Sequence, residues 1–347
     1  MNKVIDIRSD SVTKPSEEMK RYMIQAEVGD DVYGEDPTAR KLEEYFAELA
    51  GKENALFVPS GTMANQLALK ILSEPGDEII CESDSHIFIY ESGSPAILSG
   101  LQMFPIKGEN GVLPPNEVVK AIRPSDAYYM PRTKIIEIEN THNRAGGSIV
   151  PLENIIALRE IANFHKLKMH LDGSRLWHAS IETGISIKEY AQYFDTIACC
   201  LSKGLGAPVG SLIAASSELI EKARRFRKAW GGGMRQIGML AAAGLFALLK
   251  NVQRLKEDHL KARLFADIIE SGDLVKIINY KPQTNIVLFE IINDKISENR
   301  FIHSLRQEGV LISQSKEKTL RAVFHLDVSM QDSEIAAFKI LNLLKRL

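Results

Sequence analysis

The 347-residue chain has only three cysteines, and they are poorly placed to bridge. Cys199 and Cys200 are neighbours in an apolar run, so in a strand their side chains point to opposite faces. Cys81 stands apart and no Cys-x-x-Cys occurs, so a disulfide framework is excluded. No apolar run approaches the roughly 20 residues needed to cross a bilayer. Nor does Met1-Asn2-Lys3-Val4-Ile5-Asp6 carry the apolar segment of a secretory signal. Excess charge of either sign is missing too. The 43 basic and 45 acidic residues leave a net of −2, too little to attract nucleic acid or anionic membrane. Internal repeats and low-complexity tracts are absent. These absences predict a reduced, soluble, cytoplasmic protein with no pull toward nucleic acid or membrane.

What is there is a large apolar share, 45% of residues, in a chain longer than one small domain. From Ala55 onward, runs of strand length alternate with helical patterns, the signature of a mostly parallel sheet flanked by helices. Ala55–Pro59 reads as a strand that turns through Ser60-Gly61-Thr62-Met63-Ala64-Asn65 into a helix. That geometry offers free backbone N–H groups to a phosphate. Strands predicted over Glu78–Cys81, Thr133–Glu139, Lys168–Asp172 and Phe194–Leu201 are followed by His86, Asn140, Asp172 itself and Ser202-Lys203-Gly204. Shorter strand pieces are expected at Ala96–Leu98 and Met103–Ile106, and Thr38 as the cap of a helix from Ala39 to Ala50. A long amphipathic helix from Gln236 to Ile269 would join this unit to a smaller one, with strands Thr284–Ile291 and Thr319–His325 and helices Arg300–Gln307 and Asp332–Lys345. The expected organisation is an N-terminal segment (1–14) near the site, a large α/β domain (15–250) and a small C-terminal α+β domain (251–347).

In such sheets ligands sit beyond the carboxyl ends of the strands, where Ser60, His86, Asn140, Asp172 and Lys203 all fall. Taken alone, Lys203 fits a solvated lysine at a strand end better than a Schiff-base lysine. Asp172 alone fits a helix cap or a partner of Arg175, and His86 a surface residue. Together they are the parts that a pyridoxal phosphate site needs. A lysine in apolar surroundings frees its lone pair for a carbonyl, and a carboxylate keeps a pyridine nitrogen protonated. The Ser60-Gly61-Thr62 turn can take a phosphate, and His86 can stack on a ring.

Several longer segments carry a resemblance: Val28-Gly29-Asp30-Asp31-Val32-Tyr33-Gly34-Glu35-Asp36-Pro37, Pro59-Ser60-Gly61-Thr62-Met63-Ala64-Asn65, Glu139-Asn140-Thr141-His142-Asn143, Leu201-Ser202-Lys203-Gly204-Leu205 and Gly231-Gly232-Gly233-Met234-Arg235-Gln236. From Ile5 to Ser329 the chain resembles the low-specificity L-threonine aldolases, in the beta-eliminating lyase group of fold-type-I pyridoxal-phosphate enzymes. The resemblance implies pyridoxal 5'-phosphate on Lys203, Asp172 at the pyridine nitrogen and His86 over the ring. It implies a phosphate held by Ser60, Gly61, Thr62 and Ser202, and a substrate carboxylate held by Ser9, Arg175 and Arg321. It further implies Lys228 and Arg235 reaching the phosphate of a neighbouring subunit, hence a homotetramer built as a dimer of dimers with shared sites. The basic cluster from Lys222 to Lys228 reads otherwise as a solvated helix face.

The implied reaction is retro-aldol cleavage of L-threonine, L-allo-threonine and related β-hydroxy-α-amino acids to glycine and an aldehyde. β-Elimination or transamination of a small amino acid is an alternative on the same cofactor, and a non-catalytic cofactor- or nucleotide-binding protein is another. Relatives often carry a histidine before a Pro-Arg-Thr segment; this chain has Tyr128-Tyr129-Met130-Pro131-Arg132-Thr133 there. The base for the β-hydroxyl proton is then sought among His86, His142, the two tyrosines and a bound water. An imidazole matches neutral pH far better than a phenol, which favours His86, directly or through water.

Overall fold

The computed structural model describes residues 4–278 and 281–347; the first three residues of the N-terminal segment lie outside that range. The chain opens with a short strand, β1 (Ile5–Asp6), and helices α1 (Glu17–Ile24) and α2 (Pro37–Ala50). β2 (Asn54–Val58) leads into α3 (Gly61–Leu72), and β3 (Glu78–Glu82) into α4 (His86–Ile89) and α5 (Ser94–Ser99). β4 (Gln102–Ile106) precedes α6 (Pro115–Ala121), and β5 (Thr133–Glu139) precedes α7 (Leu152–His165). β6 (Lys168–Asp172) is followed by α8 (Leu176–Thr183) and α9 (Ile187–Ala191). β7 (Thr196–Cys200) and β8 (Ser211–Ala215) then give way to α10 (Ser217–Ala229), α11 (Gly238–Phe246) and α12 (Leu255–Glu270). The remainder is β9 (Val275–Ile277), β10 (Ile286–Ile291), α13 (Glu298–Gln307), β11 (Val310–Leu311), β12 (Ser313–Lys316), β13 (Thr319–Val323) and α14 (Met330–Arg346).

Seven strands form the central sheet in the order β2-β8-β7-β6-β5-β3-β4. Only β8 runs against the rest, so the other six end on one edge. Most are apolar along their whole length because helices cover both faces. On one face α2, α7, α8 and α11 bury Phe46, Ile136, Leu171 and Ile197. On the other, α3 and α10 close over Leu56, Val58 and Ile213. A second, four-stranded antiparallel sheet, β12-β13-β10-β9, packs under α12 and α14 around Phe265, Phe289 and Phe324.

The strand β1 belongs with this second sheet. β1 pairs in parallel with β11, Ile5 opposite Val310, and Val323 N–H donates to the Ile7 carbonyl at 2.8 Å. Thr13 Oγ1 and the Asp6 carbonyl oxygen lie at 3.0 and 2.9 Å from the two ring nitrogens of His325. This strap lays Arg8, Ser9 and Asp10 along the carboxyl edge of the large sheet.

Three local expectations differ. Ala96–Leu98 lies in helix α5, because Pro95 pre-sets the first turn and Gly93 and Gly100 supply left-handed ends. Asp36, not Thr38, caps α2: its Oδ1 accepts from Ala39 N–H at 2.9 Å, while the Thr38 hydroxyl donates to the Glu27 carbonyl. The helix expected over 236–269 is broken. α11 widens into a π-turn over Ala247–Asn251 before α12 begins at Leu255.

Candidate active site

The edge where the parallel strands end carries the site. Ser60 caps α3 through its hydroxyl, which accepts from Met63 N–H. Gly61 and Thr62 are the first residues of that helix, and their N–H groups have no partner within it. A side chain at 61 cannot be accommodated, since its Cβ would lie 2.7 Å from Cys200 Sγ and 3.6 Å from Ser174 Oγ. Free amides at the start of a helix are donors of the sign that suits a phosphate.

Asp172 ends β6 and is buried. Its oxygens accept from Asn65 Nδ2 at 2.7 Å and from the Ser174 amide at 3.0 Å, and it has no salt bridge among the described residues. Burial works against the ionised carboxyl, but the charges of His86 and Lys203 and the Ser174 bonds hold its pKa below the ordinary value. A buried carboxylate bonded only to neutral donors suits a cationic N–H such as that of a pyridinium.

Lys203 follows β7 and faces a cleft of about 470 Å³ lined also by Ser9, His86, Tyr90, Asn143, Arg175 and Arg321. Among the described residues the ammonium has no hydrogen bond or ion pair. The backbone around it is held from behind. Asn251 in the π-turn donates to the Leu205 carbonyl at 2.7 Å, and Arg254 to that of Gly204 at 3.3 Å.

His86 opens α4, its amide anchored on Glu139 Oε2 at 2.7 Å. Its Nδ1 sits 2.8 Å from Glu91 Oε1. Burial opposes protonation of the ring, but Glu91 first, then Asp172 and Glu139, raise its pKa above the ordinary value. His142 is different. Fully buried, it holds Glu82 through Nε2 at 3.1 Å and accepts the Ala145 amide on Nδ1, so it orders its loop and does not line the cleft.

The two arginines differ as well. Arg175 forks onto Asp10 at 2.7 and 2.6 Å, and that buried pair holds Asp10 well below the carboxylate range. Among the described residues Arg321 meets no carboxylate. It donates to the Arg8 carbonyl at 3.0 Å and to Asn143 Oδ1 at 2.8 Å, while its Nε is buried without a partner. Burial and the facing Arg175 push its pKa down to about 10, leaving the guanidinium charged at neutral pH. Asn143 also accepts from Arg175 Nη1, so one amide oxygen joins the two. A charged, half-satisfied guanidinium at the cleft floor is an anion receptor. The β12 strand roofs the cleft with Ser313, Gln314 and Ser315, and is tied across by Lys316 to Asp84, which also holds Arg144.

Of the residues singled out in the sequence, Ser9, His86, Arg175, Lys203 and Arg321 therefore meet at one cleft, with Asp172 and the 60–62 turn behind it. Lys228 and Arg235 do not line it; Arg235 pairs with Asp30 at 2.8 Å and lies over Tyr33. Tyr128 and Tyr129 stand exposed before the start of β5, at the opposite edge of the sheet from Asn140. Asn65, Glu91 and Asp10 were not singled out as site residues, and each carries a bond on which a site residue depends.

The beta-eliminating lyase family model matches residues 6–293. The chain is 42% identical over 337 residues to the low-specificity L-threonine aldolase of Escherichia coli (strain K12), covering 96% of this chain and 98% of that one. It is 39% identical over 332 residues to low-specificity L-threonine aldolase 1 of Arabidopsis thaliana, covering 94% and 93%. Among solved structures, the threonine aldolase of Leishmania major superposes with a TM-score of 0.84 at 18% identity, over 98% of this chain and 99% of that one. The fold is that of the fold-type-I pyridoxal-phosphate enzymes. With matches of this length on both sides, the chain belongs to the beta-eliminating lyase family.

Proposed function

We propose that this protein cleaves L-threonine, L-allo-threonine and related β-hydroxy-α-amino acids to glycine and an aldehyde, with pyridoxal 5'-phosphate as cofactor. The observation that carries the reading is the cleft itself. A lysine and an arginine that meet no carboxylate among the described residues share it with an imidazole, and a buried carboxylate, Asp172, lies behind.

The cofactor, when bound, supplies an electron sink for the pair released at the substrate's α-carbon. Lys203 Nζ is the group that would hold its aldehyde carbon, the amides of Gly61 and Thr62 with Ser60 and Ser202 its phosphate, and Asp172 the proton on its ring nitrogen. His86 would stack on its ring. Arg321 would take the substrate carboxylate, with Ser9 and Arg175 beside it, and so orient the α-carbon for cleavage. His86 Nε2 receives the β-hydroxyl proton, directly or through water; the Cα–Cβ bond breaks and the aldehyde departs. A proton then returns to the α-carbon to give glycine.

We further propose a homotetramer in which Lys228 and Arg235 complete the phosphate site of a neighbouring subunit, and a cytoplasmic location. The chain organisation that goes with this is an N-terminal segment (1–14), a large cofactor-binding domain (15–250) and a small domain (251–347).

Product analysis on threonine tests the reaction: glycine and acetaldehyde in equal amounts are expected, and 2-oxobutyrate with ammonia, or a 3-hydroxy-2-oxo acid, would overturn it. Lys203→Ala should abolish borohydride-trappable cofactor, and a variant that still traps it would move the Schiff base elsewhere. A monomer on sedimentation with full activity would refute the shared site.

A further inference from the structure

We propose that Glu91 is the positioning residue that fixes the tautomer and charge of His86, acting in one hydrogen-bond chain with Asn65 and Asp172. The proposal rests on the reading of His86 as the β-hydroxyl base only for its catalytic consequence.

The chain can be assigned atom by atom. The Glu91 side chain is fully buried, and no lysine or arginine pairs with it. Its Oε2 accepts from Gln66 Nε2 at 2.6 Å; its Oε1 lies 2.9 Å from Asn65 Nδ2 and 2.8 Å from His86 Nδ1. Asn65 Nδ2 is also 2.7 Å from Asp172 Oδ2. An amide nitrogen has two hydrogens, and two carboxylates take both. Asn65 must therefore turn its oxygen to His170 Nε2, at 3.2 Å, which has to be the protonated nitrogen of that ring. His170 Nδ1 is left to accept from the Thr196 hydroxyl at 2.9 Å. Burial keeps His170 neutral, its pKa pushed down to about 4, so this direction does not reverse near neutral pH.

Asn65 already donates to Glu91 Oε1 and Gln66 to Oε2, so Glu91 meets His86 as an acceptor and the hydrogen between them sits on His86 Nδ1. The lone pair of His86 then sits on Nε2. A carboxylate behind Nδ1 does for this ring what the aspartate of a serine-protease triad does: it selects the tautomer and stabilises the cation formed when Nε2 takes a proton. Three carboxylates, Glu91, Asp172 and Glu139, act on His86. The ring of Tyr90 is 5.5 Å away, and Lys203, Arg8, Arg175 and Arg321 are the cations of the same cleft.

The test is histidine nitrogen NMR on ¹⁵N-histidine-labelled holoenzyme, with His86→Phe to assign the signal. Wild-type His86 is expected with Nδ1 protonated and Nε2 bare at pH 8; an Nε2–H tautomer overturns the proposal without recourse to a second variant. In Glu91→Gln the His86 titration should move down by about one pH unit or more and the tautomer preference disappear. A titration and tautomer unchanged from wild type overturn the proposal whatever happens to turnover. The base reading is judged separately on the same variant. Threonine cleavage should fall about 100-fold, the acid limb of its pH profile should shift down with His86, and Cα proton exchange on glycine should persist. Cleavage unchanged while His86 has shifted leaves Glu91 in place and removes His86 as the base.

Discussion

At the scale of single residues, the cleft is built from charges whose partners are elsewhere. Arg321 has no carboxylate, and its role should be visible in binding. Arg321→Ala should raise KM for threonine at least tenfold with a smaller change in kcat, measured by steady-state kinetics. The opposite case is Glu137, buried in β5 with both oxygens partnerless. Burial first, then Asp172 and Glu139, push its pKa well above the ordinary value, which favours the neutral acid in the folded chain. A raised carboxyl pKa contributes stability that is complete below the unfolded pKa and is lost as pH rises toward the folded one. Glu137→Gln should therefore gain Tm over wild type at pH 8 and lose that advantage near pH 4, by thermal melts of the two proteins. Residues at strand ends were legible in the sequence because strand length and position fix where they point. Lys203, Asp172 and His86 were found that way. Glu91 was not, because it follows a single helical turn and no periodicity places it; nor was the part of Asn65, which lies in a motif read only for its turn.

Among the elements, the sequence read best where a strand is buried on both faces, as in β5, β6 and β7. It read least well where end chemistry overrides pattern. The apolar Ala96-Ile97-Leu98 looks like a strand until Pro95 and the flanking glycines are given their helical roles. β8 went unread as a strand because it follows directly on the glycine-rich Lys203 turn and returns antiparallel beside β7 with no helix between them. The unbroken apolar face over 236–269 hid the π-turn, which aims Asn251 at the Leu205 carbonyl. Asn251→Ala should leave that carbonyl unpaired and loosen the turn behind Lys203. Fluorescence titration should then give a cofactor Kd at least several-fold weaker, with less than about 2 kcal/mol lost in stability. The 60–62 turn makes a sharper test. Gly61→Ala should weaken cofactor binding about tenfold or more, because its methyl meets Cys200 Sγ, and Cys200→Ala in the same chain should restore most of it. Equal losses in the single and double variants would mean that the cradle needs glycine for its backbone and not for space.

For the whole molecule, the site lies where three parts of the chain meet: the edge of the large sheet, the β12–β13 hairpin and the N-terminal strap. An N-terminal segment (1–14) near the site is expected from the sequence, but the pairing that anchors the strap is not, since a two-residue strand carries no pattern and its partner is about 300 residues away. Its removal should act at a distance. A chain lacking residues 4–7 should keep the large sheet's circular dichroism but show a raised KM, because the Arg8 carbonyl that holds Arg321 and the Asp10 that holds Arg175 lose their anchorage. The same pairing governs how the protein is made. Ile5 leaves the ribosome early, but Val310 follows about 300 residues later, so the strap waits through most of synthesis for its partner strand. The large sheet, whose last strand ends at Ala215, is made well before the strand that anchors the strap. Assembly of the cleft is therefore a late event in synthesis, timed by the distance between two short strands and not by the sheet that carries most of its residues.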